Sequence, residues 1–127
     1  MKLLLQQALA IGAAGFVGAL ARWGVGALFG RWFAGRFPLG TFVINISGSF
    51  LLGWFLTYAM GHRVSDTMRL AIGTGFVGAY TTFSTYMWES SLLMSEGAGL
   101  EAASNLIGSL VAGLIAVRLG VMLARRA

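Results

Sequence analysis

An asparagine stands in the middle of an otherwise apolar segment of the chain, where a polar side chain is costly. Asn45 lies within residues 40–50, and Ser49 shares its helical face, with Thr41 one turn earlier. The asparagine amide donates through its NH₂ group and accepts through its oxygen, so it can contact an anion. Two interpretations stay open: Asn45 lines a pore or contacts a ligand, or it bonds to a neighbouring helix.

A second segment combines three glycines with a run of hydroxyl side chains. Residues 73–86 contain Gly73, Gly75 and Gly78, followed by threonines and a serine. Irregular backbone survives at membrane depth only where it is buried in protein or lines a polar cavity. Broken helices bind ions there, because free carbonyls suit a Na⁺-sized cation while N–H groups and hydroxyls suit an anion. The segment therefore predicts a helix broken within the membrane.

Two aromatic side chains follow the predicted break. Phe83 and Tyr86 are three residues apart, so they project to one side if this part is helical. Aromatic rings carry electropositive edges, which offer an anion a weak site. Ordinary packing is the alternative interpretation of such a pair.

Two ionisable side chains lie within or near the apolar runs. Arg22, beside Trp23, either snorkels to the membrane interface or turns its guanidinium inward, toward helix-end carbonyls or an anion. Glu89, beyond the predicted break, is expected to be an acid near the interface or a partner for an arginine.

These residues must be positioned by membrane-spanning helices. The chain of 127 residues is 57% hydrophobic and only 10% charged, with a mean hydropathy of +0.80. One crossing takes about 20 apolar residues. The sequence therefore predicts an all-α membrane protein with one domain, residues 1–127, whose four spans cover about residues 3–29, 39–60, 67–94 and 100–123.

The composition argues against most enzymes and against nucleic-acid binding. The chain has no cysteine, one histidine and four acidic residues, so thiolate chemistry is absent and a multi-ligand zinc or iron site is not expected. The net charge of +5 comes mostly from basic residues that flank the apolar runs. Such residues are membrane anchors and topology signals rather than a nucleic-acid surface.

The basic residues also bear on topology. Four spans place both termini on one side of the membrane, and Lys and Arg favour that side as the cytoplasmic one. The bias is small, because Arg31 and Arg36 lie on the opposite side. Insertion in both orientations is therefore a hypothesis at this point.

Two other classes of protein remain as alternatives to an ion channel. Small multidrug transporters also have four spans, but proton-coupled export needs a carboxylate in the membrane, typically in the first span, and none is present there. A structural membrane subunit without transport would use its glycines for packing and its polar residues to bridge helices. Three glycines with adjacent hydroxyls exceed what packing requires.

The two segments together resemble a known family. Residues 40–50, residues 78–85 and the Arg22–Trp23 pair are similar to motifs of the Fluc (CrcB) fluoride channels, in the same order along the chain. The resemblance covers nearly the whole sequence. It implies an antiparallel, dual-topology homodimer in the bacterial inner membrane, with two pathways that export fluoride passively and so reduce its toxicity.

The resemblance also implies roles for particular residues. Asn45 would line the pore, Phe83 and Tyr86 would contact fluoride, and Ser84 and Thr85 would belong to a polar track.

A structural Na⁺ at the dimer centre is implied as well, held by backbone carbonyls of Gly78 and Thr81 from both subunits. Two positions depart from the family pattern. Tyr86 replaces a phenylalanine, so a hydroxyl stands where only a ring edge is expected. Asn105, with Ser109 one turn on, stands where relatives have a tyrosine that begins the polar track.

Overall fold

The computed structural model describes all 127 residues, and every regular element in it is a helix. Helix α1 spans Lys2–Trp32 and α2 spans Leu39–Gly61. Helix α3, residues 66–80, has three consecutive parts. It begins with an α-helical turn, Asp66–Arg69, continues as a π-helical segment, Leu70–Val77, and ends in a short α-helical piece, Gly78–Tyr80. Helix α4 spans Phe83–Ser95 and α5 spans Gly99–Ala124.

Three of these helices are long and apolar enough to cross a membrane: α1, α2 and α5. They confirm a multi-pass membrane protein. The third predicted span is divided between α3 and α4, which are separated by Thr81 and Thr82. The prediction of an interrupted third helix is therefore confirmed.

The glycines of residues 73–86 do not form the interruption. Gly73 and Gly75 lie in the π-helical segment of α3, and Gly78 begins its last turn. A Cβ on Gly75 would lie 2.7 Å from the Ile11 carbonyl oxygen of α1, and one on Gly18 of α1 would overlap the Phe76 carbonyl. Two of the small residues therefore let α1 and α3 approach backbone to backbone, as in other membrane helix pairs.

The remaining helix contact packs α2 against α5, and local features fix the start of α3 and the turn between α4 and α5. Helix α2 packs mainly along α5, with Phe55 and Ala116 among the buried residues. Ser65 accepts a hydrogen bond from the backbone N–H of Met68 and so caps the start of α3. Gly97, at φ 73°, turns the chain between α4 and α5.

Most of the surface of the single chain is apolar. Only 20 of 127 residues are buried, and α1 buries Gly18 alone. Leucine, phenylalanine and tryptophan side chains of α1 lie largely exposed. Exposed apolar area of this extent requires lipid or another protein chain around it.

Candidate functional site

The interruption between α3 and α4 is held by Asn45 of α2. Thr81 and Thr82 adopt extended conformations, with ψ of 159° and 115°. The Asn45 Nδ2–H donates to the Thr82 carbonyl oxygen at 3.0 Å, and the Thr82 N–H donates to Asn45 Oδ1 at 2.8 Å. The amide thus replaces the backbone partners that Thr82 loses by leaving the helix. One of the two Nδ2 hydrogens remains free.

The start of α4 adds further donors at the same place. The Thr82 side chain caps this helix, because its Oγ1 accepts from the Thr85 backbone N–H at 3.2 Å. The N–H groups of Phe83 and Ser84 lie in the first turn, where helix geometry offers no carbonyl partner. The positive end of the α4 dipole lies here as well, which favours an anion.

A cavity of about 300 Å³ borders this group of donors. Its walls come from α2, α3, the interruption, α4 and α5, and five of the predicted site residues line it: Asn45, Thr81, Phe83, Tyr86 and Ser109. A Cβ on Gly48, which also lines the cavity, would overlap the Thr81 side chain. The close approach of α2 to the interruption therefore depends on a glycine.

Most hydroxyl groups around the cavity have already donated their hydrogen to a carbonyl. Ser49 Oγ donates to the Asn45 carbonyl at 2.7 Å, Thr81 Oγ1 to the Val77 carbonyl at 3.0 Å, and the Tyr86 hydroxyl to the Leu106 carbonyl at 2.7 Å. The second amide hydrogen of Asn45 and the first N–H groups of α4 are the donors that remain. The cavity therefore offers an anion fewer hydrogens than its residue types suggest.

The aromatic pair stands at the cavity, as the spacing predicts. The rings of Phe83 and Tyr86 have centroids 5.9 Å apart and planes tilted by 59°. Phe83 remains 74% exposed although it lines the cavity. One wall of the cavity is therefore open in the single chain.

The other predicted track residues lie around the cavity rather than in its wall. Ser84 and Thr85 are exposed, and Thr85 Oγ1 accepts from Thr82 Oγ1 at 3.0 Å. Asn105 is completely buried at 0% exposure and donates to Ser90 Oγ at 2.9 Å. Sequence reasoning did not single out Ser90, although its position four residues after Tyr86 placed it on the same face of α4.

Two carbonyl groups at the interruption lack their usual helical donors. The Thr82 N–H, which would reach the Gly78 carbonyl in a continuous helix, donates to Asn45 instead. The Thr85 N–H, which would reach the Thr81 carbonyl, donates to the Thr82 side chain. Both predicted cation ligands are thus free of a backbone donor, and carbonyl oxygens suit a hard cation.

Arg22 approaches the same carbonyls. Its Nη1 lies 3.5 Å from the Thr81 oxygen, a long contact that places the guanidinium toward the interruption. Of the two interpretations of Arg22, this arrangement favours the inward one. Glu89 contacts α2 rather than an arginine, because the Thr41 hydroxyl donates to its Oε1 at 2.8 Å.

The fold and the site define a class: a small multi-pass helical membrane protein with a broken helix beside a cavity that both polar and apolar side chains line. Residues 9–121 match the family described as "CrcB-like protein, Camphor Resistance (CrcB)". The chain therefore belongs to this family, and the resemblance found from the motifs is confirmed.

Named relatives agree with this assignment. A "Fluoride-specific ion channel FluC 2" of Moorella thermoacetica is 43% identical, over 87% of this chain and 89% of the relative. A "Fluoride-specific ion channel FluC 1" of Brucella melitensis is 41% identical, over 90% and 95%. A "Fluoride-specific ion channel FluC" of Methylococcus capsulatus is 48% identical over 92% of this chain, but the match covers 52% of that longer relative.

Proposed function

We propose that this protein is a fluoride-selective channel, which lets fluoride leave the cell passively and so reduces its toxicity. The observation that carries the proposal is the cavity beside the interruption, which is lined by Asn45 and by Phe83, the first residue of α4. The names of the relatives support fluoride as the ion.

The cavity suits a small, strongly hydrated anion. Fluoride must exchange its water for donors, and the N–H groups at the start of α4 supply donors that need no rearrangement. The edges of Phe83 and Tyr86 add weak electropositive contacts. Weak, successive contacts favour conduction over tight binding.

A second copy of the chain completes the pathway in this proposal. The open wall at Phe83 and the exposed apolar face of α1 support a homodimer, with lipid covering the rest. Helices α3 and α4 together make the third of four crossings, so both termini lie on one side of the inner membrane. The weak charge bias supports an antiparallel pair whose chains insert in opposite orientations.

The carbonyls of Gly78 and Thr81 would hold Na⁺ between the two copies. Their lack of backbone donors supports this assignment. When bound, Na⁺ would supply positive charge at the junction of the chains. The Arg22 guanidinium lies 3.5 Å from the same Thr81 oxygen.

Purified protein in lipid vesicles tests the function. Vesicles loaded with fluoride are diluted into fluoride-free buffer, and efflux is followed with a fluoride electrode, with chloride-loaded vesicles as the control. Fluoride efflux well above chloride efflux is the expected result. Absence of fluoride efflux, or equal efflux of both ions, contradicts the proposal. The multidrug-transporter alternative already lacks support, because α1 contains no carboxylate.

A further inference from the structure

Behind the cavity, polar side chains connect α4 to α5 and hold the aromatic ring that faces the ion. We propose that the Tyr86 hydroxyl and Asn105 are positioning residues, which fix the Tyr86 ring at the cavity and do not themselves contact fluoride. This inference rests on the proposed function for its meaning, but its geometry can be tested separately.

The connection consists of four hydrogen bonds. The Tyr86 hydroxyl donates to the Leu106 carbonyl at 2.7 Å, and Ser90 Oγ donates to the Tyr86 carbonyl at 2.8 Å. Asn105 Nδ2 donates to Ser90 Oγ at 2.9 Å, and Ser109 Oγ donates to Asn105 Oδ1 at 3.3 Å. We call these groups the α4–α5 tie. It holds Tyr86 at both its side chain and its backbone.

The tie fixes the ring in a way that phenylalanine could not. The tyrosine hydroxyl stands at the far end of the ring, so its bond to a helical carbonyl fixes where that end of the side chain lies. The same bond uses the only hydrogen of the hydroxyl. The Tyr86 ring lines the cavity, and the hydroxyl cannot also donate to an anion while the bond to Leu106 lasts.

The burial of Asn105 excludes a direct contact with fluoride in this arrangement. Its side chain is 0% exposed, and both ends of its amide are engaged with serines of two different helices. Ser109, which does line the cavity, uses its hydrogen toward Asn105. Asn105 and Ser109, which the sequence suggested as fluoride contacts, therefore support a neighbouring side chain, that of Tyr86.

Transport kinetics separate positioning from contact. Tyr86→Phe keeps the ring and removes only the hydroxyl, and Ser90→Ala breaks the tie at a point away from the cavity. Tyr58→Phe is the matched control, because the Tyr58 ring stacks on Trp54 and His62 outside the site. Loss of one bond of ordinary strength should slow fluoride efflux about fivefold in each of the first two variants. The fluoride concentration at half-maximal efflux should not change. The double variant should be no slower than the slower single variant, because both break one unit.

The opposite kinetic pattern overturns the proposal. A raised half-maximal concentration in Tyr86→Phe would mean that the hydroxyl contacts fluoride, and unchanged efflux in both variants would mean that the tie positions nothing of importance. If the wild type carries no fluoride, the proposed function fails, and the structural test below still decides the tie.

Tyrosine chemical shifts provide that structural test. The chain has 3 tyrosines, so ring-labelled tyrosine in lipid vesicles gives few signals in solid-state NMR. The Tyr86 Cζ signal, assigned by its loss in Tyr86→Phe, should have the shift of a hydrogen-bonded phenol in the wild type and should move in Ser90→Ala. A Cζ signal that Ser90→Ala leaves unchanged would show that the tie does not hold the hydroxyl, and would overturn the inference.

Discussion

Replacing Asn45 tests the reasoning about the interruption most directly. Asn45→Leu keeps a side chain of similar size but removes both bonds to Thr82. Leucine leaves the N–H and the carbonyl of Thr82 without partners in a part-buried place between helices. Either α3 and α4 rearrange to satisfy them, or the folded state bears their cost.

The magnitude follows from the two bonds. An unsatisfied buried backbone group costs about 1–3 kcal/mol in proteins, whereas polar contacts between membrane helices average about 0.6 kcal/mol when both partners are varied. Thr82 loses partners on both its N–H and its carbonyl, and its extended backbone prevents it from rejoining either helix. We therefore expect Asn45→Leu to lower the free energy of unfolding by about 2–4 kcal/mol.

Asn45→Asp divides the two roles of the amide. Aspartate keeps an oxygen that accepts from the Thr82 N–H, but it loses the bond to the Thr82 carbonyl and the second amide hydrogen. Its charge also repels an anion. We expect a loss of stability at least as large as in Asn45→Leu, because a carboxylate within the membrane carries its own cost and faces the Thr82 carbonyl. Fluoride efflux should fall by at least about a hundredfold, since like charges in a low-dielectric site differ by several kcal/mol.

Stability is measured by titrating dodecyl sulfate into the protein in mixed micelles and following tryptophan fluorescence, and efflux by the electrode assay. Thr57→Val, which removes a polar group elsewhere on α2, is the control for the loss of a polar side chain from this helix. If the free energy of unfolding of Asn45→Leu lies within about 0.5 kcal/mol of the wild-type value, Asn45 does not hold the interruption. If Asn45→Asp conducts normally, the amide is not part of the fluoride path.

Three further changes bear on packing, conduction and the cation. Gly48→Ala should lower the free energy of unfolding by about 1–3 kcal/mol, because the methyl group overlaps Thr81. The control is Gly24→Ala, which faces open space on α1 and should change the free energy of unfolding by less than about 1 kcal/mol. Equal losses in the two variants would contradict the close approach of α2 to Thr81. Phe83→Ile should abolish fluoride efflux while crosslinking still detects dimers; unchanged efflux would remove Phe83 from the pathway. Replacing Na⁺ with N-methylglucamine should weaken dimerisation or efflux, and indifference to Na⁺ would rule out the carbonyl site.

The sequence was most informative where polar residues stood in apolar runs. Asn45 and the aromatic pair were singled out from type and spacing, and the structure brings all three to one cavity. The helices followed from hydropathy, because the lengths of apolar runs are set by the membrane. These inferences needed no knowledge of which side chain contacts which.

The position of the interruption was less accessible. Three glycines suggested that the helix breaks among them, yet the break falls at Thr81 and Thr82. Glycine lowers helix stability, but a membrane helix keeps its backbone bonds unless other groups satisfy them. Asn45 and the Thr82 hydroxyl supply those bonds here. Such partners come from distant or non-helical contacts, which residue spacing along one helix does not reveal.

Hydrogen-bond direction was the property that the sequence could least provide. Serines, threonines and a tyrosine near the cavity read as a row of anion donors, but Ser49, Thr81 and Tyr86 give their hydrogens to backbone carbonyls. Serine and threonine do this readily within membrane helices, where a carbonyl one turn earlier is always near, whereas the Tyr86 hydroxyl reaches a carbonyl of α5. The donors left for an anion are mostly N–H groups, namely one amide hydrogen of Asn45 and the first backbone N–H groups of α4. A site with few free donors binds an anion weakly, and weak binding lets a narrow path conduct.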